Sequence, residues 1–117
     1  MPLAAFTDVD EQTELAWTDD QPLDATHVDP RLAGPGLIVL LNGGAGLSER
    51  VVWAESSPDV VGRLVDMLLA HVDEPVLAWW LARGGLRYRV APGDESPQRR
   101  RVLSRLTAEA RLGGGIY

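Results

Sequence analysis

The sequence predicts an α+β fold: one two-layer sandwich, with an antiparallel sheet of about four strands and two helices on one face. Three observations carry that expectation. The chain has 117 residues, the length of one domain, and 45% of them are hydrophobic. Two amphipathic segments, near residues 58–71 and 96–113, have clear helix start signals. Three or four short apolar or alternating runs lie outside them, giving an order of ββαββα. The expected divisions are an acidic arm over 1–35, a core over 36–113 and a tail over 114–117.

The arm comes first. Asp8 and Glu11 have the spacing of a capping box, which would open a short helix through Leu15 and Trp17. The stretch "TDDQPLDATHVDPRLAGPG" is rich in Pro, Gly and Asp and reads as irregular. Phe6 and Trp17 suggest that the arm docks somewhere. Residues 36–41 then form the best strand. The run Leu37–Leu41 is apolar without alternation, as suits a central, buried strand. A second strand, "RVVWAE", follows at 50–55.

The first helix is placed at about 58–71. Ser57 is the expected N-cap, Pro58 the first helical position, and Asp59 favours the positive helix end. Val61, Leu64, Val65, Leu68, Leu69 and Val72 recur at helical spacing. "PVLAWWLARGGLRYRVAP" is open to two readings. Leu, Ala and Arg favour a helix with Gly84 as its stop. The preferred reading is a hairpin turning at Gly84-Gly85, because Leu86, Tyr88 and Val90 alternate with Arg87 and Arg89. That pairing would set Arg83 against Leu86, Leu81 against Tyr88 and Trp79 against Val90. Trp80 would then lie opposite Arg89 on the other face. For the last helix, Ser96 caps, Pro97 starts and Gly113 stops.

Candidate chemistry begins with "LIVLLNGGAGLSERVVWAE". A strand running into a glycine loop is how many phosphate sites begin. A P-loop needs a lysine, and all eleven cationic residues here are arginine. A phosphate loop also needs a helix N-terminus behind it, whereas a strand follows. A hairpin connection is the preferred reading, with Asn42-Gly43 as its turn pair. His27 and His71 lack the third and fourth partners of a zinc site. No nucleophile motif surrounds any serine, and the paired carboxylates Asp19-Asp20 and Asp73-Glu74 sit in expected loops. No catalytic, cofactor-binding or metal-binding residue is assigned, and no small-molecule ligand is expected. The chain has no cysteine, so disulfides and thiolate chemistry are excluded. No apolar run approaches the roughly 20 residues of a membrane span. The first twelve residues carry no base and do not read as a signal peptide. Cytoplasmic residence, or assembly into a virion, is the expectation.

The net charge of −6 is unevenly spread. Residues 1–30 hold eight acids and no base, among them Asp8, Asp10, Glu11, Glu14, Asp19 and Asp20. Residues 83–117 hold eight arginines against three acids. The predicted interaction surface joins Trp80 to Arg87, Arg89, Arg99, Arg100, Arg101 and Arg105, since an arginine over an indole is favourable and both types are frequent at binding hot spots. The alternatives are a solvated sheet face with an intramolecular Trp–Arg pair, or a face covered by the acidic arm.

Two resemblances follow from short stretches. The order strand, glycine loop, "VVWAESS", amphipathic helix is similar to that of small phage tail-end proteins, which implies a virion component. The tail "RLGGGIY" resembles the unprocessed end of ubiquitin-like and sulfur-carrier proteins over three or four residues. The body lacks their N-terminal hairpin, so Gly113–Gly115 read as a helix stop. The functional expectation is a non-catalytic protein-interaction or assembly subunit, binding a protein partner or copies of itself. An acidic immunity or inhibitor-type protein is one alternative. A nucleic-acid-binding module using the arginine-rich third is the other.

Overall fold

The computed structural model describes residues 15–42 and 50–114, with side chains through Arg111. The fold is α+β, built on a four-stranded antiparallel sheet. In chain order the elements are β1 (Gln21–Pro22), β2 (Gly36–Asn42), β3 (Arg50–Ser57), α1 (Val60–Leu68), α2 (Pro75–Arg83), β4 (Arg87–Pro92) and α3 (Pro97–Gly114). The strands lie in the order β1-β4-β2-β3. The expected Asp8–Glu11 capping box, the loop 43–49 and the tail beyond Gly114 lie outside the described residues.

β2 is the centre. Leu37, Ile38, Val39, Leu40 and Leu41 are each at most 2% exposed. Their side chains alternate between two cores. Ile38 and Leu40 join Val60, Leu64, Met67, Leu77 and Trp80 beneath α1 and α2. Leu37, Val39 and Leu41 join Val102, Leu106 and Ala110 of α3. Helices therefore cover both faces, which corrects the expected two-layer arrangement. The cause is in β2 itself, because a strand apolar on both faces must be covered on both.

Residues 75–83 form a helix, not the first arm of a hairpin. Pro75 fits its first turn and Gly84, at φ 75°, ends it. Leu77 and Trp80, three apart, bury the inward stripe. The strand that follows pairs with β2 instead, matching Ile38 to Val90 and Leu40 to Tyr88. The pairs expected between Arg83 and Leu86, Leu81 and Tyr88, and Trp79 and Val90 do not form. Gly84 and Gly85 both have positive φ. A hairpin turn would use such angles, but here they carry the chain from helix to strand.

The first helix is also shifted from its expected start. Asp59 is the N-cap, and its carboxylate accepts from the Gly62 N–H at 3.1 Å. Ser57 is the last residue of β3, and its hydroxyl accepts from the Asp59 N–H at 3.1 Å. Ser96 caps α3 as expected, accepting from the Arg99 N–H at 3.1 Å. That helix runs one residue past Gly113.

Part of the expected arm is integrated into the sheet. The Thr18 N–H donates to the Val90 carbonyl at 2.9 Å, and the Val90 N–H donates to the Thr18 hydroxyl at 3.0 Å. Gln21 and Pro22 pair with Tyr88 and Arg87. Leu15 and Trp17 pack on the α3 side, while Leu23 and Val28 pack on the other. Residues 15–28 thus wrap the β4 edge of their own chain, tied further by the Tyr88 hydroxyl donating to the His27 carbonyl.

Candidate interaction surfaces

The predicted Trp–Arg surface is not assembled. Trp80 is 3% exposed and belongs to the core under α2. Its neighbours in that prediction have local tasks. Arg87 pairs with Asp20 at 3.0 Å. The Arg89 Nε donates to the Thr18 carbonyl at 2.7 Å. Arg99 donates to the Ala91 and Pro92 carbonyls, each at 2.7 Å, and so ties α3 to the end of β4. Arg100, Arg101 and Arg105 are exposed on α3. Arg100 lies 3.9 Å from Glu95, a loose and solvated pair. In the arm, Asp20 meets Arg87 of its own chain. Asp8, Asp10, Glu11 and Glu14 lie outside the described residues.

The strands around the glycine loop are hairpin partners, with Asn42 opposite Arg50. β3 starts at Arg50 and the next helix only at Val60, so the element that follows the loop is a strand. Residues 43–49 themselves lie outside the described residues.

The histidines are in ordinary structural settings. The His27 Nδ1 is 2.7 Å from Asp24, whose carboxylate also accepts from the Thr26 hydroxyl at 2.8 Å. Those bonds, His27 first, hold the Asp24 carboxyl below its ordinary range. Asp29 is held low in the same way by Arg31, 2.9 Å away. A cleft of about 460 Å³ lies beside this turn, lined by Thr18, Asp19, Gln21, His27, Asp29 and Tyr88 among others. Its volume would suit a small ligand. His27 and Asp29 in that lining turn to partners close in sequence, Asp24 and Arg31. His71 is exposed past the end of α1. Among the described residues no cluster of His, Asp and Glu could hold a metal ion, and no helix is long and apolar enough to cross a membrane.

The helical layer over the first core is different. The sequence of α2 contains seven consecutive apolar residues, Val76 to Ala82. A helix apolar on all sides is normally buried on all sides. Here one side packs into the core, through Leu77 and Trp80 with Val76 and Leu81 beside them. Pro75, Ala78, Trp79 and Ala82 face outward, Trp79 at 39% exposure. The Arg83 guanidinium lies 4.9 Å from the Trp79 ring centroid. The Trp79 and Trp80 rings meet edge to face at 4.8 Å. One helix away, Val65 and Leu69 of the α1 segment are 40% and 58% exposed.

A charged network ties this layer together. Arg63 donates to both Glu55 oxygens, at 2.7 and 2.9 Å, and to Glu74 at 3.0 Å. The Trp53 indole donates to Glu55 at 2.8 Å. The network joins β3, α1 and the residue that opens α2. The hydrogen bonds to Glu55 raise the Arg63 pKa, and Arg63 in turn holds Glu74 below its ordinary range.

Sequence reasoning missed Trp79 and Arg83 as a surface pair. The available signal was the seven-residue apolar run without polar alternation. Comparison with protein-family models, with curated proteins and with solved structures finds no match to this chain.

Proposed function

We propose that this chain is a non-catalytic protein-interaction or assembly subunit, and that its helical layer is the binding surface. One observation carries the reading: α2 is apolar on its outer side as well as its inner side, and Pro75, Ala78, Trp79 and Ala82 on the outer side are exposed. The exposed part of Trp79, 39% of the residue, forgoes some of the burial that stabilises most aromatic side chains. Tryptophan and arginine are also the residue types that dominate binding hot spots. The exposed Val65 and Leu69 add apolar area on the same layer. The Arg63 network presents this surface in one arrangement, which reduces the ordering cost of association.

Charge supports a protein partner over a nucleic acid. Arg87, Arg89 and Arg99 each hold groups of their own chain. The arginine-rich third therefore offers fewer contacts to phosphates than its sequence suggests.

Immobilised protein tests the reading. The expected result is recovery of one protein from an extract of the source cells, its own copies included, and loss of that recovery in Trp79→Arg with Leu69→Arg. Equal recovery by the substituted protein, at unchanged folding by circular dichroism, would sink the proposal. So would a strictly monomeric protein with no partner.

A further inference from the structure

We infer that the partner of the helical layer is a second copy of this chain, which lays the arginine side of its α3 on the outward side of α1. The inference rests on the binding surface proposed above and names its occupant.

The first argument is charge. α1 and α3 lie on opposite faces of the sheet, over separate cores. Asp66 on α1 and Asp73 in the loop that follows it are both exposed. The charged residues exposed on α3 are all arginine, Arg101 and Arg111 among them. The molecule therefore presents an acidic side and a basic side back to back. Two copies stacked in the same orientation meet with opposite charges. Setting α1 on α1, or α3 on α3, would bring like charges together, which disfavours it.

The second argument is shape. Val60, Leu64 and Met67 turn inward from α1. Val65 and Leu69 lie on its outer side, at 40% and 58% exposure. Four residues of helix set them about 6 Å apart along the axis. On α3 the inward residues are Val102, Leu106 and Ala110. On its far side Arg101, Ser104, Ala108 and Arg111 recur at three- and four-residue spacing, and all are exposed. Ser104 and Ala108 have the same separation as Val65 and Leu69. Their short side chains leave a shallow step between the two arginines, with the spacing to receive those apolar side chains. The arginine stems would cover the edges of that contact, while their charged heads reach Asp66 and Asp73.

A contact between unlike faces does not close on itself. A copy that offers α3 to one neighbour keeps its own α1 open for another, so assembly runs beyond a dimer or closes into a ring. Each contact is small and its charges are exposed, so assembly should be reversible and should weaken with salt.

Sedimentation equilibrium with charge exchange tests the inference. At low salt the average mass of the wild-type chain should rise with concentration past that of a dimer, and it should fall back as salt is added. Asp66→Arg with Asp73→Arg, and Arg101→Asp with Arg111→Asp, should each weaken association roughly tenfold or more. Mixed in equal amounts, the two variants should assemble again, because every contact between unlike variants then joins opposite charges. Circular dichroism confirms that each variant folds. A wild-type chain that stays monomeric at every concentration overturns the inference. So does a mass that stops at a dimer, which two surfaces on opposite faces of the sheet cannot give. Association that ignores both charge reversals, or a mixture that fails to reassemble, overturns it as well. If the monomeric chain still captured another protein through Trp79 and Leu69, the proposed surface would stand and only its occupant would be wrong. If substitution of Trp79 and Leu69 left capture unchanged, the surface itself would fail.

Discussion

Arg63 and Glu55 are joined by two hydrogen bonds, of 2.7 and 2.9 Å, with side-chain exposures of 18% and 17%. A pair this shielded gives modest net stability while both partners are present. Removing one leaves the other charged and poorly hydrated. Arg63→Met should therefore cost about 2–3 kcal/mol, since Glu55 and Glu74 both lose their cation. The double variant with Glu55→Gln should recover part of that loss. Urea unfolding of the single and double variants checks both expectations.

Glu74 and Glu109 should respond to pH in opposite senses. The hydrogen bond from Arg63 lowers the Glu74 pKa below 4.5. Its stabilising contribution is present above the unfolded value and is lost as pH falls through the lower folded value. Burial raises the Glu109 pKa above 4.5. The folded state then holds that proton more tightly, so stability falls as pH rises from the unfolded value to the folded one. Glu109→Gln should raise the melting temperature at pH 7 and leave it nearly unchanged below the ordinary carboxylate range. Thermal unfolding across an acid pH series checks this. An equal shift at every pH would contradict it.

Asp59, not Ser57, caps α1. Its carboxylate accepts from the Gly62 N–H, and its own backbone is extended, as a cap requires. Asp59→Ala should cost about 1 kcal/mol, and Ser57→Ala should cost less. Denaturant titration of the two variants separates them, and the reverse order would restore Ser57 as the cap.

Some of this fold is legible in the sequence and some is not, for identifiable reasons. Leu37–Leu41 reads as a central strand because burial on two faces removes polar alternation. The same fact implies a cover on each face, which an arrangement with both helices on one face does not supply. The α3 cap at Ser96 and Pro97 is local chemistry and reads directly. Trp79 and Trp80 are adjacent, so no alternation rule decides which one is inside. Leu86–Val90 does alternate, and it is a strand. Its partner is β2, some fifty residues earlier in the chain, and strand periodicity carries no information about a distant partner. The arginines mislead for a similar reason. Arg87 and Arg99 look free in sequence, but Asp20 and the β4 carbonyls meet them through folding.

Ala70 sits at φ 61° just past α1. The His71 N–H donates to the Asp66 carbonyl at 2.8 Å, and the Ala70 N–H to that of Met67 at 3.1 Å. Those two bonds are the Schellman closure, which glycine usually completes. An alanine in this left-handed region carries a steric cost that glycine avoids. Ala70→Gly should stabilise the protein by about 0.5–1 kcal/mol, after allowing for the greater freedom of glycine in the unfolded chain. A rise in the urea midpoint at unchanged slope checks it.

Trp79 and Trp80 should separate folding from association. Trp80 is 3% exposed and packs with Leu77, Ile38 and Leu40 in one core. Trp80→Ala should cost about 3–5 kcal/mol through lost burial and the cavity left behind. Trp79 is 39% exposed and touches Trp80 and Arg83. Trp79→Ala should cost roughly 1 kcal/mol, the loss of an edge-to-face and a cation–π contact. Stability measured on dilute protein and association measured on concentrated protein should therefore move independently. Trp80→Ala lowers the first, while Trp79→Ala leaves a folded protein that no longer associates. If the two substitutions cost the same in dilute solution, α2 does not face the way the helix reading requires.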